Sequence, residues 1–179
     1  MGSGMLEPGH AMPPASIGIA PINNDRTIGE QWRAEGTVLA FDFGEKRIGV
    51  AVGEHLLGIA HPLATIADEA NDERFRLIAA LIEEWQPTLL LVGLPLSVDG
   101  SEHELTVLSK KFARRLDGRF NLPVAMMDER YTSTQASQTL AEIGVSGRRQ
   151  KPILDQVAAQ HILQSYFDSL CGKPTHDPA

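Results

Sequence analysis

The stretch VLAFDFGEKRIGVAVG, residues Val38 to Gly53, decides how the chain is read. Two runs rich in β-branched and aromatic residues flank a turn at Gly44 and Glu45. They predict a strand over Thr37–Phe43, a second over Arg47–Val52 and a hairpin between them. Strand period 2 puts Leu39, Phe41 and Phe43 on one face and Val38, Ala40 and Asp42 on the other. A lone buried carboxylate costs several kcal/mol unless its charge is compensated. Asp42 therefore either ends the strand at an ordinary turn or holds a cation.

Outward from the hairpin, Leu56–Ile66 supplies a third strand, with Pro62 placed at a bulge or an edge. Phe75, Ile78, Leu81, Ile82 and Trp85 recur at helical spacing, predicting a helix over Asn71–Gln86 with Asn71 or Asp72 as its N-cap and Pro87 as its stop. LLLVGL, Leu89–Leu94, is a continuous apolar run expected of a strand buried on both faces. A helix over Glu102–Leu116, a strand over Val124–Asp128 and helices over Thr132–Ile143 and Pro152–Leu170 follow. This order predicts an α/β fold: a mixed five-stranded sheet, three antiparallel strands then two parallel strands, with helices on both faces.

At 179 residues with 42% hydrophobic side chains, the chain is sized for one domain. Residues 1–35, rich in Gly, Pro, Ser and Asn, read as a flexible N-terminal extension; 36–171 read as the folded domain and 172–179 as a tail. No apolar run approaches the roughly 18 residues needed to cross a bilayer, and no secretory pattern opens the chain, so no membrane partner and a cytoplasmic location are expected. The one cysteine, Cys171, cannot form an internal disulfide. Absence of a G-x-S-x-G or a G-x-x-x-x-G-K-S/T motif leaves serine hydrolase and P-loop readings unsupported.

The net charge of -7 is unevenly spread. Asp42–Glu104 holds twelve acidic and four basic residues, a balance of -8, whereas Lys110–Lys151 holds nine basic and four acidic, a balance of +5. The second segment can face a polyanion, or it can be a solvated helix surface.

Two further acidic sites stand beside Asp42. Asp128 and Glu129 end the strand PVAMM, and if that strand runs parallel to the first, both strands end on the edge where open α/β sheets place ligands. Alternatively, one of the pair caps the next helix. Asp155, in KPILDQVAAQHILQSYF, sits near a helix N-terminus, where a carboxylate gains roughly 0.3–1 kcal/mol from the dipole alone. It shares a face with Ala159 and Ile162, and small residues there let the helix approach a sheet. Three carboxylates from two strand ends and a helix suit magnesium-assisted phosphoryl chemistry, since hard cations take oxygen ligands. Two such ions about 4 Å apart activate water and stabilise a leaving oxygen.

FDFGEKRIGVAVG, LLLVGLPLSVDGSE, MMDERYTSTQA and KPILDQVAAQHIL together resemble, in order and spacing, the motifs of the YqgF/RuvX family of Holliday junction resolvases, also described as pre-16S rRNA nucleases. The resemblance spans Gly36 to Leu170. It implies a ribonuclease H-like fold and a metal-dependent nuclease, with Asp42, Glu129 and Asp155 as catalytic acids and ligands of Mg2+ or Mn2+, and Asp128 as the alternate to Glu129. One departure from the wider ribonuclease H-like plan is that the fourth strand ends GLP, without an acid. By the same resemblance, Arg148, Arg149 and Lys151 of SGRRQK hold substrate phosphates. Lys46, Arg47 and Arg130 either neutralise phosphate charge or pair with surface carboxylates. Gly93, Leu94 and Pro95 shape the backbone of the site.

The implied substrate is structured RNA, the 5' end of precursor 16S rRNA, with the ribosome or its precursor as partner and branched DNA as runner-up. The protein is expected as a monomer or homodimer; a dimer favours the junction, whose two strands need paired sites. Two other classes compete: a nucleic-acid-binding ribosome-assembly factor without turnover, and an actin-like ATPase. The ATPase needs two such domains around a nucleotide, and the chain is too short for both.

Overall fold

The structure, a computed structural model, describes residues 19–21, 35–129 and 150–170. Its elements are β1 (Ile19–Pro21), β2 (Thr37–Phe43), β3 (Ile48–Glu54), β4 (Ile59–Ile66), α1 (Asn71–Trp85), β5 (Pro87–Leu94), α2 (Glu104–Phe120), β6 (Val124–Asp128) and α3 (Gln150–Leu170). The sheet order is β1-β6-β5-β2-β3-β4. β3 runs antiparallel to both β2 and β4, and β5 and β6 run parallel to β2. The five expected strands thus stand in the predicted arrangement.

A sixth strand is added. β1 pairs antiparallel with β6, Ile19 opposite Met127, from within the segment expected to be a flexible extension. Three residues are too short to show a period in sequence. The predicted helix over Thr132–Ile143, Arg130, Arg148 and Arg149 all lie outside the described residues.

Alternation along β2 divides the core into two layers. Leu39 and Phe41 face α1 and α2, packing with Phe75, Ile78, Phe112 and Leu116. Val38 and Ala40 face α3, packing with Ala159, Ile162, Leu163 and Tyr166. Helices therefore cover both faces, and each fully buried leucine or phenylalanine contributes roughly 1.5–3 kcal/mol.

Several element ends differ from expectation for local reasons. Leu56–Gly58 forms a turn instead of strand, closed by the Gly58 N–H donating to the Glu54 carbonyl at 2.9 Å, with Gly58 at φ 64°. α1 starts after Ala70, which offers no side-chain cap, so neither Asn71 nor Asp72 is the N-cap. α2 begins at Glu104, where Thr106 Oγ1 accepts from the His103 N–H at 3.1 Å, and it continues to Phe120. Pro62 lies on the edge strand β4, beside the register shift between Val50 and Ala51, as expected.

α3 is fastened to β4 by glutamines one turn apart. Gln160 Nε2 donates to the Ala60 carbonyl at 3.0 Å, Gln164 Oε1 accepts from the Ala60 N–H at 3.1 Å, and Gln156 Nε2 donates to Thr65 Oγ1 at 3.0 Å. Backbone groups on the outer edge of the sheet are thereby satisfied by side chains.

Candidate active site

Asp42 lies one residue from the end of β2, on the α3 face, opposite Gly49 of β3. The glycine matters because α3 crosses directly above it: a Cβ at Gly49 would lie 1.9 Å from the Asp155 carbonyl oxygen. Only a residue without a side chain lets the helix backbone come this close, and that approach carries Asp155 over the strand holding Asp42. A glycine inside a strand is a signal of close backbone approach. The sequence reading did not use it for Gly49.

A second glycine admits the other acid. In β5, Val92 pairs with Phe41, and Gly93 follows it on the α3 face. A Cβ at Gly93 would meet Glu129 Oε1 at 1.7 Å, so the Glu129 side chain occupies the space that the glycine leaves. Its backbone is held by its N–H donating to the Leu94 carbonyl at 3.0 Å. Parity explains which member of the acidic pair arrives. Ala125 and Met127 of β6 face α3, while Val124 and Met126 face the opposite layer. Glu129 continues the first set and Asp128 the second.

Asp42 and Glu129 lie close enough for each carboxyl group to act on the other. Burial raises both acids: Asp42 to about 6, countered by the Glu129 hydrogen bond and raised further by the nearby Asp155 charge, and Glu129 to about 9, where the Asp42 charge adds to burial. Asp155 is drawn toward the basic turn of the hairpin, where Arg47 Nε donates to its Oδ2 at 2.9 Å. Lys46 is exposed in the same turn.

The structure thus brings together Asp42, Glu129, Asp155 and Arg47. Lys151 lies in the first turn of α3. Among the described residues no group of three carboxylate or histidine side chains is gathered tightly enough to hold a metal ion as it stands. The donor set nevertheless fits a hard cation. Asp42 and Glu129 are part-buried carboxyls that raise one another's cost of ionising, and a divalent cation bound by their oxygens would offset the charge of both.

The histidines have structural surroundings. His55 bridges the Gly36 carbonyl at 3.1 Å and the Tyr166 hydroxyl at 2.8 Å. His161 is held below its usual value by burial. On the opposite face, α2 presents Lys111, Arg115 and Arg119 to solvent one turn apart, the first part of the basic segment seen in the sequence. No described helix is long and apolar enough to cross a membrane.

The chain is similar to several known proteins. The protein of Methylobacillus flagellatus named "Putative pre-16S rRNA nuclease" is 71% identical over 139 residues, 78% of this chain and 95% of that one. The protein of the same name from Nitrosomonas europaea is 62% identical over 135 residues, 75% of this chain and 91% of that one. A solved structure, T. thermophilus RuvC in complex with Holliday junction substrate, aligns with 76% of this chain and 96% of its own at 14% identity and a TM-score of 0.45. The profile of the RuvX family, described as Holliday junction resolvase, matches residues 36–169, and the chain belongs to that family.

Proposed function

We propose that the protein is a divalent-cation-dependent nuclease that trims the 5' end of precursor 16S rRNA during ribosome assembly. The observation that carries the reading is the meeting of Asp42, Glu129 and Asp155 at the edge where β2 and β6 end, with Glu129 in the space over Gly93 and Asp155 carried in over Gly49. A family of nucleases supplies the reaction class, and the names of the close relatives supply the substrate.

In this reading Asp42, Glu129 and Asp155 hold the cation, Mg2+ or Mn2+. When bound, the cation supplies an activated water and stabilises the leaving oxygen of the phosphodiester. Both Asp42 and Glu129 would have to be ionised to hold the cation. Arg47 and Lys46 meet the phosphate backbone at the hairpin turn, and Arg130, Arg148, Arg149 and Lys151 extend that contact. Lys111 and Arg115 of α2 offer a further, sequence-independent one.

The test is incubation with precursor 16S rRNA and with a synthetic four-way junction, with Mg2+ and then with chelator. Mg2+-dependent shortening of the rRNA that disappears in Asp42→Asn is expected. Equal cleavage by Asp42→Asn, or none by the wild type on either substrate, refutes it. The family description gives the junction its standing as a second reading; symmetric cutting of the junction by a dimer, with the rRNA untouched, would establish that instead.

A further inference from the structure

Arg47 and Asp155 are 108 positions apart in sequence, yet they form an ion pair at 2.9 Å with side chains about one-third and one-quarter exposed, 32% and 23%. The pair stands at the mouth of the carboxylate site, and it draws one of the three acids toward the hairpin turn. A guanidinium is also the side chain best shaped to receive a phosphate, with a planar fork of N–H donors.

We propose that Arg47 is an exchange residue: in the free protein it holds Asp155, and an incoming backbone phosphate takes Arg47 away, releasing Asp155 as the third oxygen donor for the cation. Metal loading is thereby coupled to nucleic-acid binding. This inference rests on the reading of Asp155 as a metal ligand.

The argument is one of charge. With Arg47 in place, Asp155 is compensated and needs no further cation. Once the guanidinium faces a phosphate, Asp155 and Asp42 stand as like charges on adjoining elements, and a divalent ion is the natural neutraliser. Linkage then demands reciprocity: if nucleic acid tightens metal binding by some factor, metal tightens nucleic-acid binding by the same factor. The protein would remain lightly loaded with metal until substrate arrives, which limits cutting of unsuitable strands.

Calorimetric titration of Mn2+ into the protein, with and without a saturating 20-nucleotide phosphorothioate RNA that resists cleavage, reads the coupling directly. Expected is a gain of about fivefold or more in wild-type Mn2+ affinity when the RNA is present. Arg47→Gln should bind Mn2+ about fivefold more tightly than wild type without RNA, and RNA should improve it less than twofold. Its melting midpoint should stay near the wild-type value, because the side chain is partly exposed. Arg47→Gln binding Mn2+ no better than wild type, or keeping the full gain from RNA, overturns the exchange. Asp155→Asn serves as the separate control. If it binds Mn2+ as tightly as wild type, Asp155 is not a ligand, and the reading of the site fails together with the exchange.

Discussion

Glu129 illustrates how one side chain depends on the absence of another. It occupies the space over Gly93, so Gly93→Ala should push it off Asp42, and the added methyl group would also press on the buried Ile162 of α3, whose Cδ1 lies 2.6 Å away. Cleavage is expected to fall about 100-fold, the scale on which a misplaced group matters, with a modest loss in the melting midpoint. Asp42→Asn should lose at least as much if Asp42 is a ligand as proposed, since it removes that ligand outright.

Burial of the two acids gives a pH signature of its own. Both acids are raised in the folded protein, Asp42 to about 6 and Glu129 to about 9, so the folded state holds protons that the unfolded state has released. The resulting stabilisation is complete below the ordinary carboxylate range and is lost as pH rises toward 9. Metal-free protein should therefore melt at lower temperature at pH 8.5 than at pH 5.5 from this source. Glu129→Gln, which keeps a donor for Asp42 without a titrating proton, should flatten the difference. A melting series in chelator measures it.

At the scale of elements, the closest packing is that of α3 on β3. A methyl group at Gly49 would strike backbone, not a movable side chain, so Gly49→Ala should cost about 1–3 kcal/mol in denaturant unfolding and lower activity by lifting Asp155. Along α2, the double change Lys111→Ala with Arg115→Ala should reduce the salt dependence of single-stranded RNA binding by about 1.4 in log–log slope, at roughly 0.7 per phosphate contact. An unchanged slope would mean that this row is only a solvated surface.

The elements themselves were largely legible in sequence, because continuous apolar strands and amphipathic helices carry their own periods. Leu89–Leu94 and the repeat from Phe75 to Trp85 needed nothing from the rest of the chain. Both acids at the end of β6 were visible too, yet the choice between them was not. It turns on parity relative to the α3 face, which exists only once β6 is paired beside β5. The Arg47–Asp155 ion pair was invisible for a related reason: no local pattern links residues 108 apart. β1 escaped notice because its pairing with β6 is entirely non-local.

For the whole molecule, the two core layers and the site divide the work. The layer under α1 and α2 is closed by stacked aromatics, Phe43 on Phe112 with centroids 4.9 Å apart, whereas the layer under α3 includes the buried acids. Stability should therefore respond to metal mainly through the α3 side. Saturating Mg2+ or Mn2+ at pH 8 should raise the melting midpoint of wild type, by linkage to the folded state, and should not raise that of a variant lacking Asp42 and Glu129.

The glutamines that fasten α3 to β4 set a distance as well as a bond. Gln156, Gln160 and Gln164 meet the edge strand at successive turns, so the helix cannot slide along its axis or roll without breaking several contacts at once. Asp155 immediately precedes the first of them. The outermost strand of the sheet thus works as a ruler for its centre, fixing how deep an acid from a distant part of the chain reaches toward Asp42.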